Sequence, residues 1–163
     1  MKRLNILFFF LAFVYCGIVY KLNPSEKIEN YIEIYGTVIQ ILLPAYCAVP
    51  ILGKKDYKGV FYFLIYFVSV LGVVYLLKYS IDERRPYGGH HSFPSGHTSA
   101  AFIGVLFLFR RYGNVYLLST LPLGIYVAVS RVVSRNHWTI DVLAAILIAV
   151  VLGFLIVKPY KKT

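Results

Sequence analysis

Acidic residues are scarce in this chain. Seven Asp and Glu stand against seventeen Lys and Arg among 163 residues, for a formal charge of +10. A catalytic metal centre of the carboxylate–histidine type would need clustered ligands, and too few are on offer. Cysteine is scarcer still. Cys16 and Cys47 both fall inside apolar runs, where a thiol is a small buried hydrophobe, so neither a disulfide framework nor a cysteine-held metal is expected. Internal repeats and low-complexity linkers are missing, and residues 1–163 read as a single domain. Basic surface interleaved with aromatics is missing too, which argues against a nucleic-acid partner. The positive charge instead flanks apolar runs, where Lys and Arg meet anionic lipid headgroups.

Apolar residues are abundant, at 59%, against about 45–50% in soluble domains. Apolar stretches close to a membrane-crossing length recur, and they are continuous rather than alternating. That pattern predicts an all-α integral membrane bundle. Six transmembrane helices are expected, at roughly 4–22, 37–53, 58–78, 96–109, 115–133 and 138–157. The run from Leu4 to Leu22 follows Lys2 and Arg3 as a signal peptide would. It is long for that role and no small-residue cleavage site follows, so it reads as a retained span. Between the first two spans, NPSEKIENYIEIYG places Ile28, Tyr31, Ile32 and Tyr35 at helical spacing, with Glu26, Glu29 and Glu33 pointing elsewhere. A short amphipathic helix lying in the membrane interface is expected there, capped by Asn23 or Ser25 and ended at Gly36. With both termini cytoplasmic, ten Lys and Arg fall inside and seven outside, a bias in the direction of the positive-inside rule.

Three polar stretches share the outer side: KYSIDERRPYGGHH (78–91), FPSGHTSA (93–100) and SRVVSRNHWTID (130–141). All four histidines, His90, His91, His97 and His137, lie in them. Ionisable groups at membrane depth are expensive and usually functional. In the second stretch Ser95 suits an N-cap, and the first-turn N–H groups of the helix then form an anion site. Gly96 permits close approach to the backbone, and His97 sits beside any anion bound there. In the third, His137 and Asp141 are four apart and would share a helical face. Asp141 would then fix the imidazole tautomer, leaving the other ring nitrogen free to attack or accept a proton. Arg131 offers a planar fork for phosphate or carboxylate. In the first, Lys78 and Arg85 are seven apart, two turns if the helix runs on. Asp82 and Glu83 lie close enough to pair with such cations. Three convergent cations, a helix N-terminus and an oriented histidine suit an anion with several oxygens and metal-independent phosphoryl transfer.

Lys78 through Arg85-Pro86, Pro94-Ser95-Gly96-His97, and Ser130-Arg131 through His137 to Asp141 together resemble the three-part signature of the type 2 phosphatidic acid phosphatase family. The resemblance covers the central and C-terminal two-thirds of the chain. It implies a six-helix membrane phosphatase that uses no metal or other cofactor. His137 would be the nucleophile, forming a phosphohistidine, and Asp141 would orient it. His97 would protonate the leaving alkoxide and then activate water. Lys78, Arg85, Arg131, Ser95 and Gly96 would hold the phosphate oxygens. His90 and His91 match no part of the signature. Within the family the chain is most similar to small bacterial lipid A 1-phosphatases. The implied reaction is removal of the 1-phosphate of lipid A at the periplasmic face of the bacterial inner membrane, with the bilayer lipid as partner and no protein partner required. Phosphatidylglycerophosphate and undecaprenyl pyrophosphate are the alternative substrates. A phosphate or lipid transporter is the non-enzymatic alternative. It would call for polar residues continuing through the bilayer, and they cluster on one side instead.

Overall fold

The computed structural model describes residues 26–161. Within it the chain forms five helices. α1 (Glu26–Tyr46) runs on past a one-residue turn at Cys47 into the short segment Ala48–Gly53. The interruption has a local cause. Pro50 has no N–H to donate to the carbonyl of Tyr46, and its ring crowds that carbonyl. α2 is Tyr57–Ile81, α3 Gly96–Tyr112, α4 Asn114–Val133 and α5 Thr139–Ile156.

The expectation of six membrane spans is not met. Among the described residues, four helical segments are long and apolar enough to cross a membrane: Ile28–Gly53, Tyr57–Ile81, Asn114–Val133 and Thr139–Ile156. The span expected at 96–109 is the helix α3, and it differs in kind. Its 17 residues rise about 25 Å, at the lower limit of what crosses a hydrocarbon core. Its first turn is polar (His97, Thr98, Ser99) and its last carries Arg110 and Arg111. α3 is the core helix instead. It packs against α1, α2, α4 and α5, and Thr98, Ser99 and every residue from Ala101 to Leu108 are buried. The span expected at 4–22 lies outside the described residues. The separate interfacial helix near 25–36 is also corrected, because those residues from Glu26 onward are the first turns of α1. Gly36 ends no helix. It sits mid-α1, where a Cβ would come within 2.2 Å of Ser130 Oγ and 2.7 Å of Arg131 Nη2.

Burial is inside-out by the standards of a soluble protein. Leu52 and Leu155 are each 73% exposed and Leu76 69%, on the outer faces of helices of membrane length. Such a surface is stable against acyl chains and unstable against water. Where helices meet, the packing is close. Cys47 is buried, with its Sγ 3.7 Å from the Leu43 carbonyl oxygen and 3.8 Å from that of Gly104. A Cβ on Gly104 would lie 2.5–2.8 Å from backbone atoms of Leu43 and Pro44, so α1 reaches α3 only because that position is glycine.

The end of the bundle at Arg111 is closed by a buried ion pair. Arg111 donates to Asp56 through Nε (2.7 Å) and Nη2 (2.5 Å), the two-pronged geometry that suits a guanidinium. Its Nη1 donates to the carbonyls of Lys158 and Pro159. Asp56 also caps α2 by accepting from Gly59 N at 2.9 Å, and it accepts from the Tyr112 hydroxyl at 2.9 Å. Burial pushes the Asp56 carboxyl up, but the bonds from Arg111, Tyr112 and Gly59 outweigh it and hold it below the usual range. Gly113, at φ 98°, joins α3 to α4 in a single residue, a backbone region that a side chain rarely enters.

Gly104→Ala has no room to relax, since the obstructing atoms are backbone. It is expected to lower unfolding stability in detergent by about 1–3 kcal/mol. Gly72→Ala, where a Cβ would meet nothing within 4 Å, should leave the unfolding midpoint unchanged or slightly raised.

Candidate active site

The end of the bundle opposite Arg111 collects the polar residues singled out in the sequence. Lys78 comes from the last turn of α2, Arg131 from the last turn of α4, His97 from the first turn of α3 and Asp141 from the first turn of α5. Arg85 and His137 come from the connecting loops. His97 lies within electrostatic reach of Arg131, His137, Arg85 and Lys78 together. His137 senses Asp141, Arg85 and Lys78. All six groups therefore gather at this end of the bundle.

Two pairs of residues meet by routes other than a shared helical face. α2 stops at Ile81, because Asp82 turns left-handed (φ 44°) and its N–H closes on the Lys78 carbonyl. Lys78 and Arg85 are thus not two turns apart on one helix. Arg85 reaches the site from a loop in which its Nε donates to the carbonyl of His90 at 3.1 Å. His137 and Asp141 do not share a helical face either, since α5 begins only at Thr139. The turn brings them together instead. The N–H groups of Asn136 and His137 both bond the Arg131 carbonyl (3.0 and 3.1 Å), folding the loop back over the end of α4. His137 Nδ1 then stands 3.4 Å from Asp141 Oδ2, with the two side chains 2% and 0% exposed.

Asp141 Oδ2 is the hub. It accepts from the Trp138 backbone N–H at 2.9 Å, which caps α5, and from the hydroxyl of Ser92 in a short hydrogen bond. The Asp141 carbonyl accepts from Ser95 N at 3.1 Å, tying the start of α3 to the start of α5. Ser95 caps α3 as expected, accepting from Thr98 N. Gly96 faces open space, with nothing within 4 Å of where its Cβ would be. The first-turn N–H groups are therefore approachable by an anion.

Lys78 and Arg131 are buried and carried by oxygen atoms, while Arg85 is half-buried. Lys78 Nζ donates to the carbonyls of His91 (2.7 Å) and Ser92 (3.4 Å), pinning the loop that presents Ser92. Arg131, 1% exposed, donates through Nη2 to the Glu33 carbonyl at 2.6 Å and through Nε to Ser130 Oγ at 3.1 Å. Glu33 and the Ser92 hydroxyl are parts of the site that the sequence did not single out. Ser92 reads as one more loop residue before Pro94. Glu33 is 98 residues from Arg131, and only folding relates them. His90 and His91 pair with Asp82, at 3.3 and 2.9 Å, and His91 packs edge-on against Tyr79. Arg84 and Arg135 are exposed.

Burial holds the His137 imidazole below the ordinary histidine range, assisted by the charges of Arg85 and Lys78 and opposed by Asp141. His137 is therefore neutral near pH 7, with a ring nitrogen available as a nucleophile. Glu83 is shifted the other way, first by desolvation and then by the neighbouring Asp141 carboxylate. Among the described residues no group of three or more His, Cys, Asp and Glu is arranged to hold a metal ion.

The family model of the PAP2 superfamily matches residues 75–163, which hold Lys78, Arg85, Ser92, His97, Arg131, His137 and Asp141 but not Glu33. The chain belongs to the PAP2 superfamily. It is a hydrolase of the metal-independent phosphatase type. It is 29% identical over 174 aligned residues to a lipid A 4′-phosphatase of Helicobacter pylori, a match covering 99% of this chain and 86% of that protein. A lipid A 1-phosphatase of Porphyromonas gingivalis is 33% identical over 86 residues, half of this chain and 19% of that much longer protein. The undecaprenyl-diphosphatase BcrC of Bacillus subtilis is 27% identical over 85% of this chain and 77% of its own length. No solved structure matches the chain significantly.

Ser92→Ala in this PAP2 chain removes a donor to a buried carboxylate without touching the reacting groups. Loss of such a charge-assisted bond is expected to lower kcat about tenfold, with KM nearly unchanged, in steady-state phosphate release. A second expectation concerns pH. The folded His137 binds its proton more weakly than the unfolded one, so the unfolded state takes up more protons as pH falls through the ordinary histidine value of about 6.5. Stability from this group is complete above that pH and is lost below it. The fall in unfolding midpoint between about pH 7 and pH 5 should be smaller in His137→Asn than in the wild type.

Proposed function

We propose that this chain is a lipid phosphate phosphatase working through a phosphohistidine on His137. One observation carries the reading: His97, His137 and the three cations Lys78, Arg85 and Arg131 lie in one electrostatic cluster. They do so at one end of a bundle whose flanks are apolar. With Nδ1 directed to Asp141, Nε2 of His137 is the attacking nitrogen. It forms a bond to phosphorus as the P–O bond to the lipid breaks. Burial, then the charges of Arg131, His137, Arg85 and Lys78, push the His97 imidazole of the free protein down to about 4. The negative charge of a bound phosphate raises it again, so that His97 takes up a proton with the substrate and passes it to the leaving alkoxide. In the second step His97, now neutral, removes a proton from water, whose oxygen displaces His137 and releases phosphate. Lys78, Arg85, Arg131 and the first-turn N–H groups at Gly96 neutralise charge spread over the equatorial oxygens, with Ser95 holding that turn in place. Removing one such donor costs about 10²–10³ in rate.

The substrate favoured is lipid A, with loss of a phosphate at the periplasmic face of the inner membrane. The names of the relatives from two bacteria support it. Because those relatives include both 1- and 4′-phosphatases, the position removed is part of the proposal, and the 1-phosphate is the one put forward. Undecaprenyl diphosphate is the second reading, favoured by the likeness to BcrC.

Phosphate release by the purified protein in detergent with excess chelator tests both levels. Lipid A, undecaprenyl diphosphate, phosphatidylglycerophosphate and phosphatidic acid are supplied in parallel. Lipid A is expected to be turned over well above the others, and His137→Ala to fall by about 10⁴ or more. Release from another lipid replaces the substrate and keeps the chemistry. Equal activity in His137→Ala removes the phosphohistidine.

A further inference from the structure

The end of the bundle away from His137 carries charge that the catalytic reading does not use. Arg111 is 14 residues along α3 from His97, about 20 Å of helix. Beside it Lys54, Arg110, Tyr112, Gly113, Pro159 and Tyr160 line a cavity of about 370 Å³ that contains no carboxylate among its lining residues. The three cations there are not equivalent. Arg111 is satisfied by Asp56 and by two carbonyls. Lys54 and Arg110 have no carboxylate within ion-pair distance among the described residues.

Aromatic rings hold them instead. The Arg110 guanidinium lies 4.2 Å from the Phe154 ring centre, and Lys54 Nζ lies 5.5 Å from that of Tyr160. A ring face steadies a cation without neutralising it. Arg110 Nε is moreover shielded from solvent with no hydrogen-bond partner among the described residues, a donor that a folded chain seldom leaves unused. α4 begins one residue past this cavity, and its N-cap Gly113 supplies no side-chain acceptor. The positive end of a 20-residue helix thus opens on the same space.

We propose that this cavity is a second anion site, separate from the catalytic one, which takes the phosphate of an anionic glycerophospholipid headgroup. Lys54 and Arg110 supply its uncompensated charge, and Tyr160 and Phe154 fix their positions. The apolar flanks of α2 and α5 beside it suit acyl chains. A basic pocket between helix ends at the level of the headgroups is the usual form of such a site. The proposal does not depend on the identity of the substrate.

The test uses the full-length protein in dodecylmaltoside, with the unfolding midpoint followed against added dioleoylphosphatidylglycerol, dioleoylphosphatidylcholine or inorganic phosphate. Phosphatidylglycerol is expected to raise the midpoint and phosphatidylcholine to leave it unchanged. The double variant Lys54→Gln/Arg110→Gln should bind phosphatidylglycerol about thirtyfold more weakly, about fivefold for each cation. Its phosphatase activity in detergent without added phosphatidylglycerol should equal that of the wild type. A shift with inorganic phosphate that is lost in the double variant keeps the anion site and assigns it to the free ion. Equal responses of wild type and double variant to phosphatidylglycerol overturn the proposal. If the double variant is unstable without lipid, Lys54→Gln alone, at an exposed position, carries the test with its fivefold expectation.

Discussion

Three cations, Lys78, Arg111 and Arg131, are buried among the described residues of this bundle, and each is held by oxygen atoms contributed from another part of the chain. An uncompensated charge in an apolar medium is among the most destabilising features a fold can contain. The helices therefore have to arrive where the oxygens are needed. Arg131 ties α4 to the Glu33 carbonyl of α1, and Gly36 leaves the gap through which it does so. Arg111 ties α3 to the start of α2 and to the C-terminal segment. Lys78 ties α2 to the loop that leads into α3. The same bonds that make the cations tolerable fix the relative heights of the helices, and hence the positions of His97, His137 and Asp141.

The two ends of the bundle use buried charge differently. At the Arg111 end the guanidinium meets a carboxylate in a two-pronged pair, and its charge is spent within the fold. At the other end Lys78 is held by neutral carbonyls, and Arg131 meets a carbonyl at 2.6 Å with the Glu33 carboxylate only at 3.8 Å. Carbonyls satisfy donors without cancelling charge, so this end keeps a positive potential that a phosphate can use. Asp141 is the internal carboxylate there. One of its oxygens is occupied by Ser92 and the Trp138 N–H and stands beside His137. That arrangement anchors the carboxylate before any substrate arrives, and such preorganisation is what electrostatic catalysis requires.

The all-α membrane class, the Ser95 cap and the three polar stretches were legible in the sequence because each rests on a local pattern. The span count was less so. A run such as Ala100 to Phe109 looks the same whether lipid or protein surrounds it, and α3 proved to be surrounded by four other helices. Residues 28–35 have helical spacing in either reading, but spacing does not say whether a helix stops at Gly36. The glycine there serves a contact with Ser130 and Arg131 on α4, which no window of sequence contains. The His137–Asp141 spacing pointed to two residues that do meet, but for a reason that does not hold, since a turn rather than a helix joins them.

What the sequence determined by itself is the chemical inventory: which histidines, cations and carboxylate are present, in what order, and in which polar stretches between apolar runs. Residue type and spacing carry that information because capping, hydropathy and the reach of a few residues are local properties. The tertiary structure alone decided which cations remain electrostatically available, which serine grips Asp141, and which helix is the core. Those depend on pairs such as Arg131 with Glu33 and Ser92 with Asp141, 98 and 49 residues apart. They meet because burying a charge in an apolar bundle demands a partner, and only the folded chain specifies where that partner is.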